Sequence, residues 1–122
     1  MPATSTTRVV EAIVEAVERK DWISFVEVRR ILEDQEIAVR GDLAIEFTPN
    51  TFLWLGMSDE FVEIIRALQA DGRVTIASTS VFLYFIDGSV PSLPVAKRLT
   101  EKGYFEPRWL PVCFRPVRRA TQ

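Results

Sequence analysis

The sequence predicts a single α+β domain of three helices and two β-hairpins, followed by a proline-rich C-terminal arm. Apolar residues recur at helical spacing in three segments, polarity alternates in the regions between them, and most prolines lie in residues 89–122. The 122 residues, 48% of them hydrophobic, suffice for one buried core. We expect residues 1–122 to be one domain, with residues 1–6 a disordered start and residues 89–122 the arm.

Two helices are expected first, joined by a very short linker. The first helix is capped within the serine and threonine cluster of residues 5–7. Its apolar stripe is formed by Val9, Val10, Ile13, Val14 and Val17. Ser24 and Glu27 form a capping box at the start of the second helix. The buried face of that helix comprises Phe25, Val28, Ile31 and Leu32.

Across residues 36–57 the spacing of apolar residues changes from a helical period to simple alternation, which predicts a β-hairpin. Residues 40–42 and 48–50 have the composition of turns. A half-buried strand lies between these turns, and its apolar members are Leu43, Ile45 and Phe47. Residues 51–55 then form a mostly apolar strand that ends at a glycine.

A third helix and a second hairpin are expected within residues 58–88. Ser58 caps the helix, and Gly72 ends it in the left-handed conformation. The core face of this helix comprises Phe61, Ile64, Ile65 and Leu68. Residues 74–77 alternate in polarity, and residues 81–86 form a very apolar run, so both are predicted as strands.

Prolines at positions 91, 94, 107, 111 and 116 exclude long regular elements from the arm. Within it, residues 95–101 are expected to form a short helix and residues 109–114 an edge strand. We expect residues 118–122 to be frayed.

Residues 24–34 and 60–86 together resemble the helix, helix and wing of the winged-helix superfamily. Residues 61–74, FVEIIRALQADGRV, are similar to the last helix, glycine stop and first wing strand of such domains. The resemblance covers about half the chain. It departs at residues 36–57, where the family has a short turn, so the hairpin is an insertion or the fold is a different α+β arrangement. The resemblance implies a scaffold that binds nucleic acid, dimerises or docks on proteins.

Charge is unevenly distributed along the chain. Residues 1–88 hold 8 basic and 15 acidic side chains, a net charge of −7, whereas residues 89–122 hold 7 and 2, a net of +5. This asymmetry indicates either a footprint for an anionic partner or a basic end that packs against acids of its own chain or of a second copy.

In a winged-helix domain the third helix would enter the major groove of DNA. Three outward residues of this helix are acids that phosphates repel: Asp59, Glu60 and Glu63. Any contacts with nucleic acid are therefore expected from a few residues near the end of the helix and mainly from the basic arm. The candidate nucleic-acid-binding residues are Arg66, Gln69, Arg73, Lys97, Arg98, Lys102, Arg108, Arg115, Arg118 and Arg119. The alternative is that Arg66, Gln69 and Arg73 form a solvated face.

The arm also mixes aromatic residues with arginine. This composition is typical of interaction hot spots and of platforms on which single-stranded bases stack. The candidate interaction residues are Tyr104, Phe105 and Trp109. The alternative is that the arm lays its aromatic side chains over the core.

The composition argues against catalysis. The chain has no histidine, which removes the commonest acid–base group and metal ligand, and its one cysteine, Cys113, is expected to be a buried apolar residue. We expect no catalytic residues, no metal site and no cofactor. A lone cysteine also suits a reducing cytoplasm, and no apolar run approaches the roughly 20 residues that span a bilayer.

Two hypotheses follow from the sequence. The first is a non-enzymatic winged-helix protein, expected to be a homodimer, that regulates a nucleic-acid process through its basic arm. The alternative is a protein-interaction or homo-oligomerisation domain with no role in nucleic-acid binding.

Overall fold

The computed structural model describes residues 5–98 and 100–117. Its elements are α1 (Ser5–Lys20), β1 (Ile23–Ser24), α2 (Phe25–Asp34), β2 (Arg40–Thr48), β3 (Thr51–Met57), α3 (Asp59–Asp71), β4 (Val74–Ser78), α4 (Val81–Asp87), β5 (Arg108–Trp109) and β6 (Val112–Pro116). The predicted α+β class is confirmed.

Two small sheets organise the strands. The first is antiparallel in the order β1-β6-β4, and the second has the order β2-β3-β5. In the second sheet β2 and β3 are antiparallel, whereas β3 and β5 are parallel. An isolated parallel bridge between Val95 and Trp109 continues this sheet beyond β5.

The first two helices follow the predicted pattern. The stripe of α1 is buried, but the helix already begins at Ser5, earlier than expected; residues 1–4 lie outside the described residues. The serine half of the capping box predicted for α2 is confirmed, because Ser24 Oγ accepts a hydrogen bond from Glu27 N at 3.2 Å. The carboxylate of Glu27 accepts from Lys20 Nζ at 2.8 Å, so it ties α2 to the end of α1.

The β2–β3 hairpin is confirmed, with two corrections. The turn predicted at residues 40–42 is wrong, because β2 already begins at Arg40. The register between the strands shifts repeatedly, which accommodates the close approach of Gly41 to β3. A side chain at Gly41 would place its Cβ 2.5 Å from Met57 O, so this strand position requires glycine. Leu43 and Phe47 are exposed rather than half-buried.

Both caps of α3 are confirmed: Ser58 Oγ accepts from Phe61 N at 3.0 Å, and Gly72 adopts φ 85°. The second predicted strand of the following hairpin is wrong, because residues 81–86 belong to α4. Ser80 Oγ caps this helix by accepting from Phe82 N at 3.1 Å. The domain therefore has four helices within its described residues, and β4 pairs with β6 instead of its sequence neighbour.

The C-terminal part of the chain is built into the fold. β6 is the central strand of the first sheet, so the predicted edge strand at residues 109–114 is wrong for its second half. Val112, Cys113 and Phe114 are buried there. In the described part of residues 95–101 there is no helix, and Ala96 N instead donates to Trp109 O at 2.7 Å.

An aromatic cluster joins the two sheets in one core. The ring of Trp54, on β3, lies 5.6 Å from that of Phe25 and 5.5 Å from that of Tyr84, both distances between centroids. Trp109, on β5, meets Tyr84 edge-on at 4.9 Å. Phe25 in turn packs edge-on against Phe114 of β6 at 4.9 Å. The second sheet is thereby fixed against α2, α4 and the first sheet.

Candidate functional site

Arg73, a predicted nucleic-acid contact, is engaged by two carboxylates. Its Nε lies 2.6 Å from Asp71 Oδ1, and its Nη2 lies 2.6 Å from Glu11 Oε1. These hydrogen bonds lower the pKa of both carboxyls and raise that of Arg73. The guanidinium therefore links α1 to the turn between α3 and β4, which leaves it less available to phosphates.

Arg115 is engaged in the same way. Its guanidinium forms two hydrogen bonds of 3.0 Å with the carboxylate of Asp21 and stacks 4.1 Å from the ring centroid of Trp22. The hydrogen bond to Asp21 raises the pKa of Arg115. Asp21 and Trp22 both have positive φ, 57° and 53°, so Arg115 holds a sharp corner between α1 and β1. For this residue the basic end does pack against an acid of its own chain.

The remaining candidates for nucleic-acid binding are scattered over the surface. Arg66 and Gln69 are exposed on α3, and Lys97, Arg98 and Lys102 are exposed in the C-terminal part. Arg108 lies over the ring of Tyr104, 5.0 Å from its centroid. Arg118 and Arg119 lie outside the described residues. The structure brings three of the ten candidates to one cleft, and these are Gln69, Lys97 and Arg98.

The three aromatic interaction candidates have different environments. Trp109 is buried and its Nε1 donates to Leu53 O at 3.2 Å, so its assignment to an interaction surface is wrong and it belongs to the core. Tyr104 is half-buried, and its hydroxyl donates to Arg98 O at 2.5 Å. Phe105 is fully exposed. The Asn50 amide donates to the carbonyls of both Tyr104 and Phe105, which fixes this loop against the β2–β3 turn.

A larger aromatic surface lies on α4. Phe82, Phe85 and Ile86 share one face at i, i+3 and i+4, and they are 68%, 58% and 82% exposed. The two phenylalanine rings contact each other edge-on at 6.0 Å. We call these three residues the α4 face. At about 200 Å² for each side chain, they expose on the order of 400 Å², within the range of the largest patch on a typical monomer.

The opposite side of α4 is fixed to the domain. The buried Tyr84 hydroxyl donates to Val112 O at 2.5 Å and accepts from Phe25 N at 3.1 Å. At the end of the helix, the Asp87 carboxylate accepts from Ser24 Oγ, and Asp87 O accepts from Arg30 Nη2 at 2.6 Å. Burial raises the pKa of the Tyr84 hydroxyl, so it remains a protonated donor at neutral pH. The α4 face is therefore presented in one fixed orientation.

A cleft of about 880 Å³ opens on another part of the surface. Its walls are β4, residues 95–98 and residues 110–112, and the lining also includes Phe47, Leu53, Gln69, Thr79 and Val81. Apolar side chains form most of this surface, which is typical of binding clefts of this size.

Cys113 is buried, and desolvation raises the pKa of its thiol, which disfavours the nucleophilic thiolate. Within residues 5–98 and 100–117 no group of three or more acidic or cysteine side chains is placed to hold a metal ion.

Comparison with known protein families, with curated proteins and with solved structures finds no match for this chain. In the part of the chain that the structure describes, no helix is long and apolar enough to cross a membrane.

The sequence pattern predicts a buried strand at residues 81–86, so it does not reveal the α4 face. A continuous apolar run carries no period that separates a strand from a helix. The flanking residues held the signal, since Ser80 is a typical N-cap and Gly88 a typical left-handed end, with φ 90°. With those caps, the same run has its aromatic residues on an outward helical face.

Proposed function

We propose that this chain is a non-enzymatic interaction module that self-associates through the α4 face, on a winged-helix-like scaffold. The observation that carries the proposal is the fixed, exposed apolar surface of Phe82, Phe85 and Ile86. Cys113 is a free, buried thiol, so the fold does not depend on forming a disulfide with it. We therefore propose that the protein resides in a reducing cytoplasm.

The order of elements supports the winged-helix part of the proposal. Three helices, α1 to α3, are followed by the paired strands β4 and β6, which occupy the place of a wing. The β2–β3 hairpin is then an insertion before α3. Residues 79–111, which contain α4 and β5, form a second insertion within the wing. Both additions leave the three-stranded antiparallel sheet continuous.

A second copy of the chain is the occupant that best fits the α4 face. A two-fold axis brings identical surfaces together, so a self-complementary surface must not carry a strong charge of one sign. The only charged residue of α4 is Asp87, whose carboxylate accepts a hydrogen bond from Ser24 of its own chain and whose main-chain carbonyl accepts from Arg30. Two uncharged aromatic faces can therefore meet without electrostatic repulsion.

Sedimentation velocity over a range of concentrations tests this function. The wild type should dimerise, and Phe82→Gln with Phe85→Gln should weaken the dimer by at least about 30-fold, the effect of one interface hot spot. Phe105→Gln is the matched control, because it removes an exposed phenylalanine from a loop outside α4. Urea unfolding verifies that each variant is folded. A wild type that stays monomeric at high concentration, or an equal effect of the control, would contradict the proposal.

Nucleic-acid binding is the second candidate function, supported by the exposed cations Lys97 and Arg98, which form no ion pair with other described residues. Titration with duplex and single-stranded DNA at two salt concentrations tests it. Salt-sensitive binding that Lys97→Ala with Arg98→Ala weakens would support this function. The absence of binding at low salt would remove it.

A further inference from the structure

The cleft lies between the free edges of the two sheets. β4 is the outer strand of the first sheet, with β6 on its other side. Residues 95–98 lie beyond β5 of the second sheet, to which Val95 is bridged. Both edges line the same cleft of about 880 Å³. An extended segment in this space would therefore have strand backbone beside it.

The register shows which backbone groups of β4 face the cleft. Thr79 N donates to Pro111 O and Val117 N to Arg73 O, each at 3.0 Å, so positions 73 and 79 bond towards β6. Because bonding alternates along an antiparallel strand, positions 75 and 77 do so as well. The N–H and C=O groups of Val74, Ile76 and Ser78 must point the other way. No described residue accepts from or donates to those groups.

The size of the cleft matches a short strand. One strand residue occupies about 160 Å³, taking roughly 3.3 Å of rise, 4.8 Å between strands and 10 Å between layers. The observed 880 Å³ therefore holds about five residues, as many as β4 itself contains. An extended peptide of about five residues would therefore fill the cleft.

The lining specifies the chemistry of that peptide. Lys97 and Arg98 are its charged members, and no carboxylate lines the cleft among the described residues. Leu53, Ile76 and Leu110 provide apolar contacts. A segment in which acidic and apolar residues alternate can place one set of side chains against each kind of surface.

We propose that β4 and the cleft bind an extended acidic segment of a partner protein, which adds as a strand to the free edge of β4. Its main-chain groups pair with Val74, Ile76 and Ser78, and its carboxylates lie near Lys97 and Arg98. This goes beyond the proposed self-association, because it uses a different surface and a different partner.

Fluorescence polarisation with labelled peptides tests the proposal. The probe has three Glu-Val repeats between glycines, and its counterpart has lysine in place of glutamate. The acidic probe should bind at least tenfold more tightly than the basic one. Two further probes carry N-methyl groups on either every valine or every glutamate. One of these two should lose binding at least tenfold more than the other, because alternate amides face β4.

Variants of the protein test the backbone pairing with β4 and the charge of the cleft separately. Ser78→Pro removes an outward N–H and leaves the bonds to β6 in place, so it should weaken binding about tenfold or more in a folded protein. Lys97→Glu with Arg98→Glu, at exposed positions, should reverse the preference towards the basic probe. Failure of the acidic probe to bind, equal effects of the two N-methyl sets, or displacement by single-stranded DNA would overturn the proposal.

Failure of the proposed self-association can be distinguished from failure of the proposed peptide binding. The double glutamine variant of the α4 face should bind the acidic probe as the wild type does. The double glutamate variant of the cleft should sediment as the wild type does. Loss of both properties in either variant would contradict the assignment of two separate surfaces.

Discussion

The buried hydroxyl of Tyr84 offers the sharpest test of how α4 is held. It connects α4 to the start of α2 and to β6, through Phe25 N and Val112 O. Tyr84→Phe keeps the ring, and with it the contacts to Trp54 and Trp109. The substitution removes the oxygen alone and leaves two backbone groups without that partner.

The loss of unfolding free energy in Tyr84→Phe follows from the burial of those two backbone groups. Phe25 and Tyr84 are each 0% exposed and Val112 is 2% exposed, so water cannot replace the hydroxyl. An unsatisfied buried donor or acceptor costs about 1–3 kcal/mol, and the lower part of that range, about 1–2 kcal/mol for each group, predicts a loss of about 2–4 kcal/mol for the two together. In a domain of this size that corresponds to a fall in Tm of roughly 8–16 °C. Natural domains are stable by about 5–15 kcal/mol, so the variant should still fold.

Urea unfolding followed by tryptophan fluorescence measures this loss, because Trp54 and Trp109 both contact the Tyr84 ring. Tyr104→Phe is the matched control. Its hydroxyl also donates to a backbone carbonyl, that of Arg98, but on the exposed side of the domain. The control should cost less than about 0.5 kcal/mol. Equal losses for the two variants, or a loss below 0.5 kcal/mol for Tyr84→Phe, would refute the reasoning.

Three further predictions concern other parts of the domain. Gly103→Ala should cost at least about 2 kcal/mol in urea unfolding, because φ is 73° and a Cβ would lie 2.0 Å from Pro49 O; Gly88→Ala, at φ 90° with open space, should cost about 1 kcal/mol. The buried thiol of Cys113 should react with Ellman's reagent at least a hundredfold more slowly in the native protein than in urea, and equal rates would contradict its burial. Because Arg73 lowers the pKa of its two carboxylate partners, their contribution to stability is present above a pH of about 4 and is lost as the pH falls below it. Arg73→Met should therefore flatten the decline of the urea midpoint between about pH 5 and pH 2, and an unchanged decline would be evidence against this ion pair.

The first three helices were predictable because their signals are local. Ser24 and Ser58 cap helices where the sequence placed them, and Gly72 ends α3 as expected. Each of these features depends on residues within one helical turn. The alternation of β2 and β3 likewise identified a hairpin, although its repeated register shifts and exposed outer strand depend on tertiary packing.

The candidate site was harder to predict because its determinants are far apart in the sequence. Nothing near Arg115 indicates that Asp21 will neutralise it, and nothing near Trp109 indicates that its ring lies against Tyr84. The pairing of β4 with β6 crosses the whole of residues 79–111. The local pattern therefore predicts that β4 pairs with the nearest apolar run, residues 81–86, which form α4 in the structure.

The central position of β6 has a consequence for the order of folding. This strand is the last of those in the described residues, yet β1 and β4 both depend on it for their hydrogen bonds. Its pairing of Ser24 with Cys113 closes a loop of about 90 residues, and such non-local contacts slow folding to milliseconds or longer. Until that loop closes, the edges of β1 and β4 and the apolar run of α4 are exposed together. Folding then competes with association between incomplete chains, and its yield falls as the protein concentration rises.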